Sequence, residues 1–260
     1  MITYSFSFEQ IQFFLLIFVR IASFIFIAPF FGMSNTPARL KVGLSFFITV
    51  ILANVIDVPE IEYTDVIGYA IIVVKESITG LLMGFAANIC TSIMSFAGNL
   101  ADMQIGFSMA TEYDPMTRSQ VSVTGQFYNY LILLLLLITN LQSYLIRALA
   151  ESYELIPVNA QLFSWDNMLS SFISYCSNMI ILSFRIILPM FACVMILNCI
   201  LGIMAKVAPQ MNMFAVGMQL KVLVGLTSLF LTIYLLPHIS EFLFDEIKRM
   251  VVMLIEGIRG

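Results

Sequence analysis

Long apolar stretches with few charges dominate the pattern of this chain. A helix needs about 20 mostly apolar residues to cross a bilayer, and several stretches without Asp, Glu, Lys or Arg approach that length. When stretches separated by one embedded charge are merged, the pattern predicts helices near residues 10–31, 42–57, 66–98, 124–148, 168–205 and 212–237. We therefore predict an all-α fold, a polytopic membrane protein of about six to eight long, partly broken helices.

Two predicted segments, 66–98 and 168–205, are too long for one membrane crossing even when a helix tilts. Each is expected to bend, to form a hairpin or to extend out of the membrane. Pro189 can bend the second segment. Three glycines in the first segment or at its end allow a neighbouring backbone to approach closely: Gly80, Gly84 and Gly98.

The C-terminal residues 239–258 follow a different pattern, with apolar residues at helical spacing and charges on the opposite face. This pattern predicts an amphipathic helix, which either lies at the membrane interface or docks onto a partner subunit. No internal repeat or polar linker interrupts the chain, so residues 1–260 are predicted to form a single domain.

The composition agrees with a membrane protein and excludes several classes of function. The chain is 60% hydrophobic and 11% charged, against roughly 25% charged residues in soluble proteins, which excludes a cytosolic enzyme. Its 12 Lys and Arg against 16 Asp and Glu give a net charge of −4. Nucleic acid is therefore not expected as a partner, because a basic surface is needed to neutralise phosphates.

The chain lacks the motifs of metal sites and of common enzymes. Its single His238 and four cysteines show no metal-ligand spacing, so we expect no metal and no cofactor. No GxSxG, HExxH or Walker motif occurs, and the chain is not expected to be an enzyme. Asp102 and Asp114 lie in one polar-rich stretch and are weak candidates for an intramembrane aspartyl pair, which would have to share a proton.

Loop charges predict part of the membrane topology. The first ten residues carry no Lys or Arg, so they lack the basic start of a cleaved signal peptide, and the first apolar segment is expected to be retained. Arg39 and Lys41 place the first loop inside by the positive-inside rule. The second loop has only acidic charges, at residues 57–65, so the N-terminus is predicted to be outside. The mixed charges of the C-terminal tail leave its side open.

Five charged residues lie inside or beside apolar segments: Arg20, Lys75, Glu76, Arg185 and Lys221. Such residues are costly in a membrane and normally face protein or a water-filled cavity. A secondary transporter could use Glu76 as a proton carrier, but charges scattered over different helices do not form the midplane cluster of a transporter. We predict that these charges pair between subunits of an assembly.

The stretch from Gly98 to Gln126 is neither helix-periodic nor polar enough for a solvent loop. Gly106, the Asp114–Pro115 pair and Gly125 are breaker signals, yet bulky apolar residues lie among them. Non-helical backbone at membrane depth is tolerated only where protein buries it or where it lines a cavity. The stretch therefore predicts a re-entrant or pore-obstructing segment, with simple packing against neighbouring helices as the alternative.

Four segments resemble the FliR family in the correct order along nearly the whole chain. They are APFFGMSNTPARLKVGLS (28–45), GFAAN (84–88), GNLADMQIGFSMATEYDP (98–115) and KVAPQMNMFAVGMQLKVLVGL (206–226). The FliR family provides an export-gate subunit of flagellar type III secretion and is related to the SctT subunit of virulence injectisomes. The sequence DMQIGFSMA (residues 102–110) resembles the flagellar branch more than the injectisome branch.

The resemblance implies a non-enzymatic channel component in the bacterial cytoplasmic (inner) membrane, at the flagellar basal body. It implies assembly with FliP-type and FliQ-type subunits into a helical export-gate cone, association with FlhB and FlhA, and passage of unfolded flagellar proteins. It further implies that one loop plugs the closed pore, and its residues are Gly106, Phe107, Ser108, Met109, Ala110, Thr111, Glu112, Tyr113 and Asp114. The alternatives are an SctT-type injectisome subunit and a secondary transporter.

Overall fold

The computed structural model describes residues 8–33, 36–56, 65–107, 112–114, 119–159, 161, 165–210 and 212–259. The helices of these ranges are α1 (Phe8–Ile27), α2 (Ala38–Ala53), α3 (Val66–Ala87), α4 (Ile89–Ile105), α5 (Val123–Ile138), α6 (Leu141–Leu155), α7 (Trp165–Val207), α8 (Met213–Thr232) and α9 (Leu236–Arg259). Two three-residue strands, β1 (Glu112–Asp114) and β2 (Ser119–Val121), pair antiparallel with Tyr113 opposite Gln120. The predicted all-α class is confirmed.

Four helical stretches of the described chain are long and apolar enough to cross a membrane: Gln10–Ile27, Val66–Ala87, Asp166–Val207 and Ala215–Ile258. The last of them includes a short 3-10 turn, Ile233–Leu235, between α8 and α9. Helices α5 and α6 meet the same test together but are bent by 69° at their break, as in a broken span or a re-entrant loop. The prediction of a polytopic membrane protein is thereby confirmed.

The two overlong segments behave differently from each other. The predicted helix 66–98 is divided at Asn88, the C-cap of α3, which has φ −81° and ψ 2°, and α4 begins at the next residue, Ile89. The predicted helix 168–205 is instead one helix of 43 residues that continues through Pro189. At 1.5 Å per residue α7 is about 65 Å long, which exceeds a hydrocarbon core of about 30 Å. This helix therefore extends beyond one membrane crossing.

The predicted helix 124–148 is also broken, at Asn140. This residue has a φ of 61° and a left-handed conformation between α5 and α6. Asparagine tolerates that conformation better than most residues because its short side chain can hydrogen-bond locally. A polar residue inside an apolar stretch therefore marks the bend.

The chain divides into two compact units, the first of residues 1–89, 140–175 and 246–260 and the second of residues 90–139 and 176–245. In the first unit, α1 packs on α3 and α2 and buries Leu16, Ile17 and Phe24. In the second unit, buried residues of α4 and α7 form a cluster: Ala101, Ile105, Ile187 and Met190. The single domain predicted over residues 1–260 remains a prediction.

Helix α9 covers the segment that was predicted to be amphipathic, and most of its apolar residues are buried, whereas Phe242 and Val252 are exposed. Within the first unit these residues are Ile247, Met250, Val251, Leu254, Ile255 and Ile258. The backbone at Gly257 lies close to α7, since a Cβ there would be 3.5 Å from Ser171 Oγ. These buried residues lie on one face of α9, and the role predicted for the helix, at the membrane interface or on a partner subunit, stays a prediction.

Candidate functional site

Helices α4 and α5 touch through two glycines at the base of the unusual loop that joins them. A Cβ placed on Gly98 would lie 1.9 Å from the Cα of Gly125. Any side chain at Gly98 would therefore push the helices apart. The close approach that the sequence predicted for this glycine is present, and it fixes where the loop leaves and returns.

The N-terminus of α5 is held by two side chains. Ser122 is its N-cap, and the Ser122 hydroxyl accepts a hydrogen bond of 2.8 Å from the backbone N–H of Gly125. Asp102 reaches across from α4, and its Oδ2 accepts the N–H of Thr124 at 3.4 Å. A carboxylate at a helix N-terminus is favoured by the partial positive charge there. The chain thus satisfies first-turn N–H groups of α5 both locally and from the neighbouring helix.

Asp102 is almost completely buried, with 4% of its surface exposed. Its second oxygen, Oδ1, has no hydrogen-bond partner among the described residues. A buried acceptor without a donor costs free energy, so the carboxylate retains unused capacity to accept a hydrogen bond.

The loop begins at Gly106, which has a φ of +95° and whose N–H donates to the carbonyl of Asp102 at 3.0 Å. A left-handed glycine is a common way to end a helix. Phe107 follows and packs, half-buried, against the cluster that contains Ile105 and Met190. The first bulky side chain of the predicted plug is therefore packed within the second unit.

Most of the predicted plug lies beyond what the structure describes. Ser108, Met109, Ala110 and Thr111 are outside the described residues. For Glu112, Tyr113 and Asp114 the structure describes the backbone, which forms β1. The pairing of β1 with β2 makes the far part of the loop a short antiparallel hairpin.

In the first unit, Arg20 and Glu76 form an ion pair that is completely buried. Arg20 Nε lies 2.5 Å from Glu76 Oε2, and both side chains have 0% exposure. The other carboxylate oxygen, Oε1, accepts hydrogen bonds from Gln161 Nε2 at 2.7 Å and from the N–H of Asn159 at 3.2 Å. The sequence predicted partners on another subunit for Arg20 and Glu76. The structure instead pairs the two residues with each other inside this chain.

The guanidinium of Arg20 makes two further contacts. Its Nη1 donates to the carbonyl of Ile156 at 3.0 Å, and its carbon lies 4.1 Å from the centre of the Tyr153 ring. The Tyr153 hydroxyl donates in turn to the carbonyl of Ile17. Additional hydrogen bonds stabilise a buried ion pair, and here the end of α6 and the segment after it provide three of them, while Arg20 Nη2 has no hydrogen-bond partner among the described residues.

The ion pair depends on close packing between α1 and α3. Glu76, Gly80 and Gly84 are four residues apart on α3 and therefore share one face. A Cβ on Gly80 would lie 2.2 Å from the carbonyl oxygen of Arg20, and one on Gly84 would lie 2.9 Å from that of Phe24. Small residues thus let the backbones touch, which confirms the close approach predicted at Gly80 and Gly84.

The other three embedded charges have no ion-pair partner among the residues that the structure describes. Lys75 is half-buried, Arg185 is exposed and Lys221 is half-buried. None of the three has an ion pair within 4.0 Å in the described part of the chain. Among the same residues, no three His, Cys, Asp or Glu side chains are placed to hold a metal ion.

Sequence reasoning missed a structural role for Lys41. Its Nζ donates to the carbonyl of Gly32 at 2.9 Å and lies 5.5 Å from the centre of the Phe26 ring. Lys41 is therefore buried in the first turns of α2 and holds the turn that follows α1, although it was counted as a loop charge. The available signal was the presence of Gly32 and Lys41 in the same family-like segment, 28–45.

The chain matches the family model described as bacterial export proteins, family 1, over residues 11–247. It is 35% identical over 214 residues to the flagellar biosynthetic protein FliR of Bacillus subtilis (strain 168), covering 82% of each chain. It is 26% identical over 242 residues to FliR of Escherichia coli (strain K12), covering 91% of this chain and 90% of that one. The surface presentation of antigens protein SpaR of Shigella flexneri is 25% identical over 237 residues, covering 87% of this chain and 90% of SpaR.

Proposed function

The chain belongs to family 1 of the bacterial export proteins, and from this premise we propose that it is a membrane-embedded subunit of a flagellar protein-export gate. The observation that carries the proposal is the family match over residues 11–247 of a chain with several membrane-spanning helices. Identity of 35% to a FliR protein supports the flagellar branch. The proposed location is the cytoplasmic membrane at the flagellar basal body.

The proposed mechanism is mechanical rather than chemical. The chain contributes helices, together with FliP-type and FliQ-type subunits, to a cone-shaped conduit for unfolded flagellar proteins, and FlhB and FlhA act with it. Large exposed apolar side chains on α7 and α8 support this proposal, among them Ile196, Ile203 and Phe230. Exposed apolar surface of this kind marks contact with lipid or with other subunits.

A secondary transporter is less well supported by the geometry of Glu76. A proton carrier has to exchange its proton with water or substrate, whereas this carboxylate is completely buried and receives hydrogen bonds from Arg20, Asn159 and Gln161. Such a carboxylate is well suited to hold three segments of the first unit together.

The loop from Gly106 to Asp114 is proposed to occlude the conduit at rest. Support comes from the base of the loop, where the Gly98–Gly125 contact and the left-handed Gly106 fix its point of departure. Methionine side chains are flexible and polarizable, so Met109 is suited to repack around a passing chain.

Lys75, Arg185 and Lys221 are proposed to pair with acidic or carbonyl groups of the partner subunits. The support is their lack of an ion pair within the described residues, at positions surrounded by apolar surface. A charge in such surroundings is costly until a partner neutralises it.

Co-expression with FliP-type and FliQ-type chains, followed by native mass spectrometry, tests the assembly. We expect one mixed complex of fixed stoichiometry that contains all three kinds of chain. Purification of this chain only as a monomer or a homodimer, in the presence of those partners, would contradict the proposal.

For the loop, deletion of residues 106–114 from an assembled gate is expected to raise ion leakage, whereas unchanged conductance in a complete complex would exclude a plug.

A further inference from the structure

We propose that one exposed face of α3 docks a transmembrane helix of a different subunit, and that this helix carries a carboxylate near its middle that pairs with Lys75. The inference rests on the proposed function, because it names the chemistry of a partner within the export gate. The α3 face is defined by six exposed apolar residues: Ile67, Ile71, Val74, Ile78, Leu81 and Phe85. At 1.5 Å per residue the face is about 27 Å long, nearly the thickness of a hydrocarbon core of about 30 Å.

The α3 face lies opposite the side by which α3 packs on α1. Glu76 and Gly80 contact α1, through the ion pair with Arg20 and through close backbone approach. Val74 and Ile78 lie two residues before and after Glu76, and successive helical residues are about 100° apart, so both point away from α1. Within the first unit, α1 therefore leaves the α3 face uncovered.

Lys75 lies at the edge of this face, one turn after Ile71 and one turn before Ile78. Helix α3 runs from Val66 to Ala87, so Lys75 is nearer the middle of the helix than either end. Long cationic side chains reach the membrane interface from positions near helix ends, and neither that interface nor a lipid headgroup is close to Lys75. Lipid tails are therefore a costly covering for this part of the face.

The described part of this chain supplies no carboxylate for Lys75. No residue three or four positions from it on α3 is acidic, and none of the described residues forms an ion pair with it within 4.0 Å. Glu76 is adjacent in sequence, but it points about 100° away and already pairs with Arg20. The counter-charge is therefore expected from the molecule that covers the face.

An apolar groove continues the same edge of α3. Leu82 lies seven residues after Lys75, two helical turns further on and about 10 Å away. With Phe85, Phe172 of α7 and Leu254 of α9 it lines a groove of about 230 Å³, whose walls are apolar and aromatic and belong to the first unit. Such a groove accepts bulky apolar side chains. The partner helix is thus expected to present a carboxylate and, about two turns away on the same side, a bulky apolar residue.

The occupant is a different chain rather than a second copy of this one. Exposed carboxylates among the described residues lie at the starts of helices, such as Asp166, or on the more polar helices α6 and α9, such as Glu151 and Glu256. The described part of a second copy thus offers no exposed acid in the middle of an apolar helix. The partner is an apolar helix of another gate subunit with Asp or Glu near its middle.

The first test measures the yield of mixed complex, by native mass spectrometry, when this chain is co-expressed with FliP-type and FliQ-type chains. Lys75→Met is expected to lower the yield about tenfold or more, because the partner's carboxylate is left buried without its counter-ion. Lys75→Arg keeps the charge and is expected to stay within about twofold of the parent. Lys206→Met is the matched control, since Lys206 is exposed in the last turn of α7, and it should assemble like the parent.

A second test identifies the covering helix directly. The photo-crosslinker p-benzoylphenylalanine replaces Ile71 or Phe85, near the two ends of the α3 face, and the captured peptides of the purified complex are mapped by mass spectrometry. Both positions are expected to capture the same apolar segment of one other chain, with Asp or Glu near its middle. When lysine replaces that acid in the partner, assembly of Lys75→Glu should recover.

The outcomes separate the inference from the proposed function. If the parent forms no mixed complex, the proposed function fails. If the parent assembles and Lys75→Met matches it, the inference is overturned while the proposed function stands. Capture of a second copy of this chain, of lipid alone, or of a segment without an acidic residue also overturns the inference. Should Lys75→Met lower the unfolding temperature of the isolated chain, the crosslinking result decides.

Discussion

The buried pair of Arg20 and Glu76 makes the first unit sensitive to a single atom change. Glu76→Gln removes the negative charge and leaves the Arg20 guanidinium buried without its counter-ion. Breaking a buried pair on one side typically costs about 3–5 kcal/mol, so we expect a lower yield of folded protein and of assembled gate. Thermal unfolding in detergent and native mass spectrometry measure the two effects.

Lys75→Gln is the control for that substitution, because Lys75 is adjacent in sequence but half-buried and has no ion pair among the described residues. It should change the unfolding temperature of the isolated chain little. If Glu76→Gln unfolds like the parent and assembles normally but abolishes a proton flux, the transporter hypothesis gains and the structural role is wrong.

Lys41 stabilises the turn after α1 through its ammonium group. Lys41→Met keeps most of the aliphatic length but removes the ammonium that donates to the Gly32 carbonyl and faces the Phe26 ring. Hydrogen bonds to charged groups contribute about 1.5–3 kcal/mol, so the turn after α1 should lose stability by about that amount. Arg39→Gln, at an exposed position on the same helix, should cost less than 0.5 kcal/mol, roughly the effect of ordinary surface substitutions. Equal effects in chemical denaturation would show that the Lys41 contact contributes nothing.

At the scale of helices, the contact between α4 and α5 admits no side chain at Gly98. Gly98→Ala places a Cβ 1.9 Å from the Cα of Gly125, so the helices must separate. Overpacking of this kind costs about 1–3 kcal/mol. Gly202→Ala is the matched control in the same unit, since nothing lies within 4 Å of its Cβ position, and it should stabilise α7 slightly through better helix propensity. Opposite signs in the two melting shifts are expected, and a neutral Gly98→Ala would refute the tight contact.

The rough positions of the helices could be predicted from the sequence because long apolar stretches have few alternatives to helix in a membrane. The breaks at Asn88 and Asn140 could not, since each is a local backbone event inside an apolar stretch. Pro189, which was expected to be able to bend its segment, does not end the helix, since α7 continues through it. Proline in an apolar helix is tolerated when neighbouring groups satisfy the freed carbonyl, and sequence alone does not reveal those neighbours.

For the candidate site, the sequence identified the important positions better than it identified the groups that those residues contact. Gly98 and Gly106 were recognised as special positions, and the structure gives each a geometric reason. Asp102 was considered only as a weak catalytic candidate, whereas its carboxylate binds the N–H of Thr124. The partner of Arg20 lies 56 positions away, and a single sequence does not specify contacts over that distance.

At the scale of the whole molecule, the predicted topology places the N-terminus outside. This orientation rests on Arg39 and Lys41, near the start of α2, and on the acidic segment 57–65. Cysteine-accessibility labelling at Ser5 and Glu60 in intact cells checks it. We expect an impermeant reagent to label both positions, and labelling of neither would reverse the orientation.

Assembly supplies the last prediction, because Arg185 and Lys221 are the embedded cations of the second unit that have no ion pair in the described residues. Arg185→Gln and Lys221→Gln should lower the yield of the mixed complex, since each removes a charge that a partner subunit is proposed to neutralise at low dielectric. The stability of the chain expressed alone should change little, because neither substitution breaks an ion pair among the described residues. Lys206→Gln, at an exposed position at the end of α7, serves as the control and should assemble normally. If both neutral variants formed the complex with parental yield while the isolated chain was unchanged, these two cations would have no part in assembly.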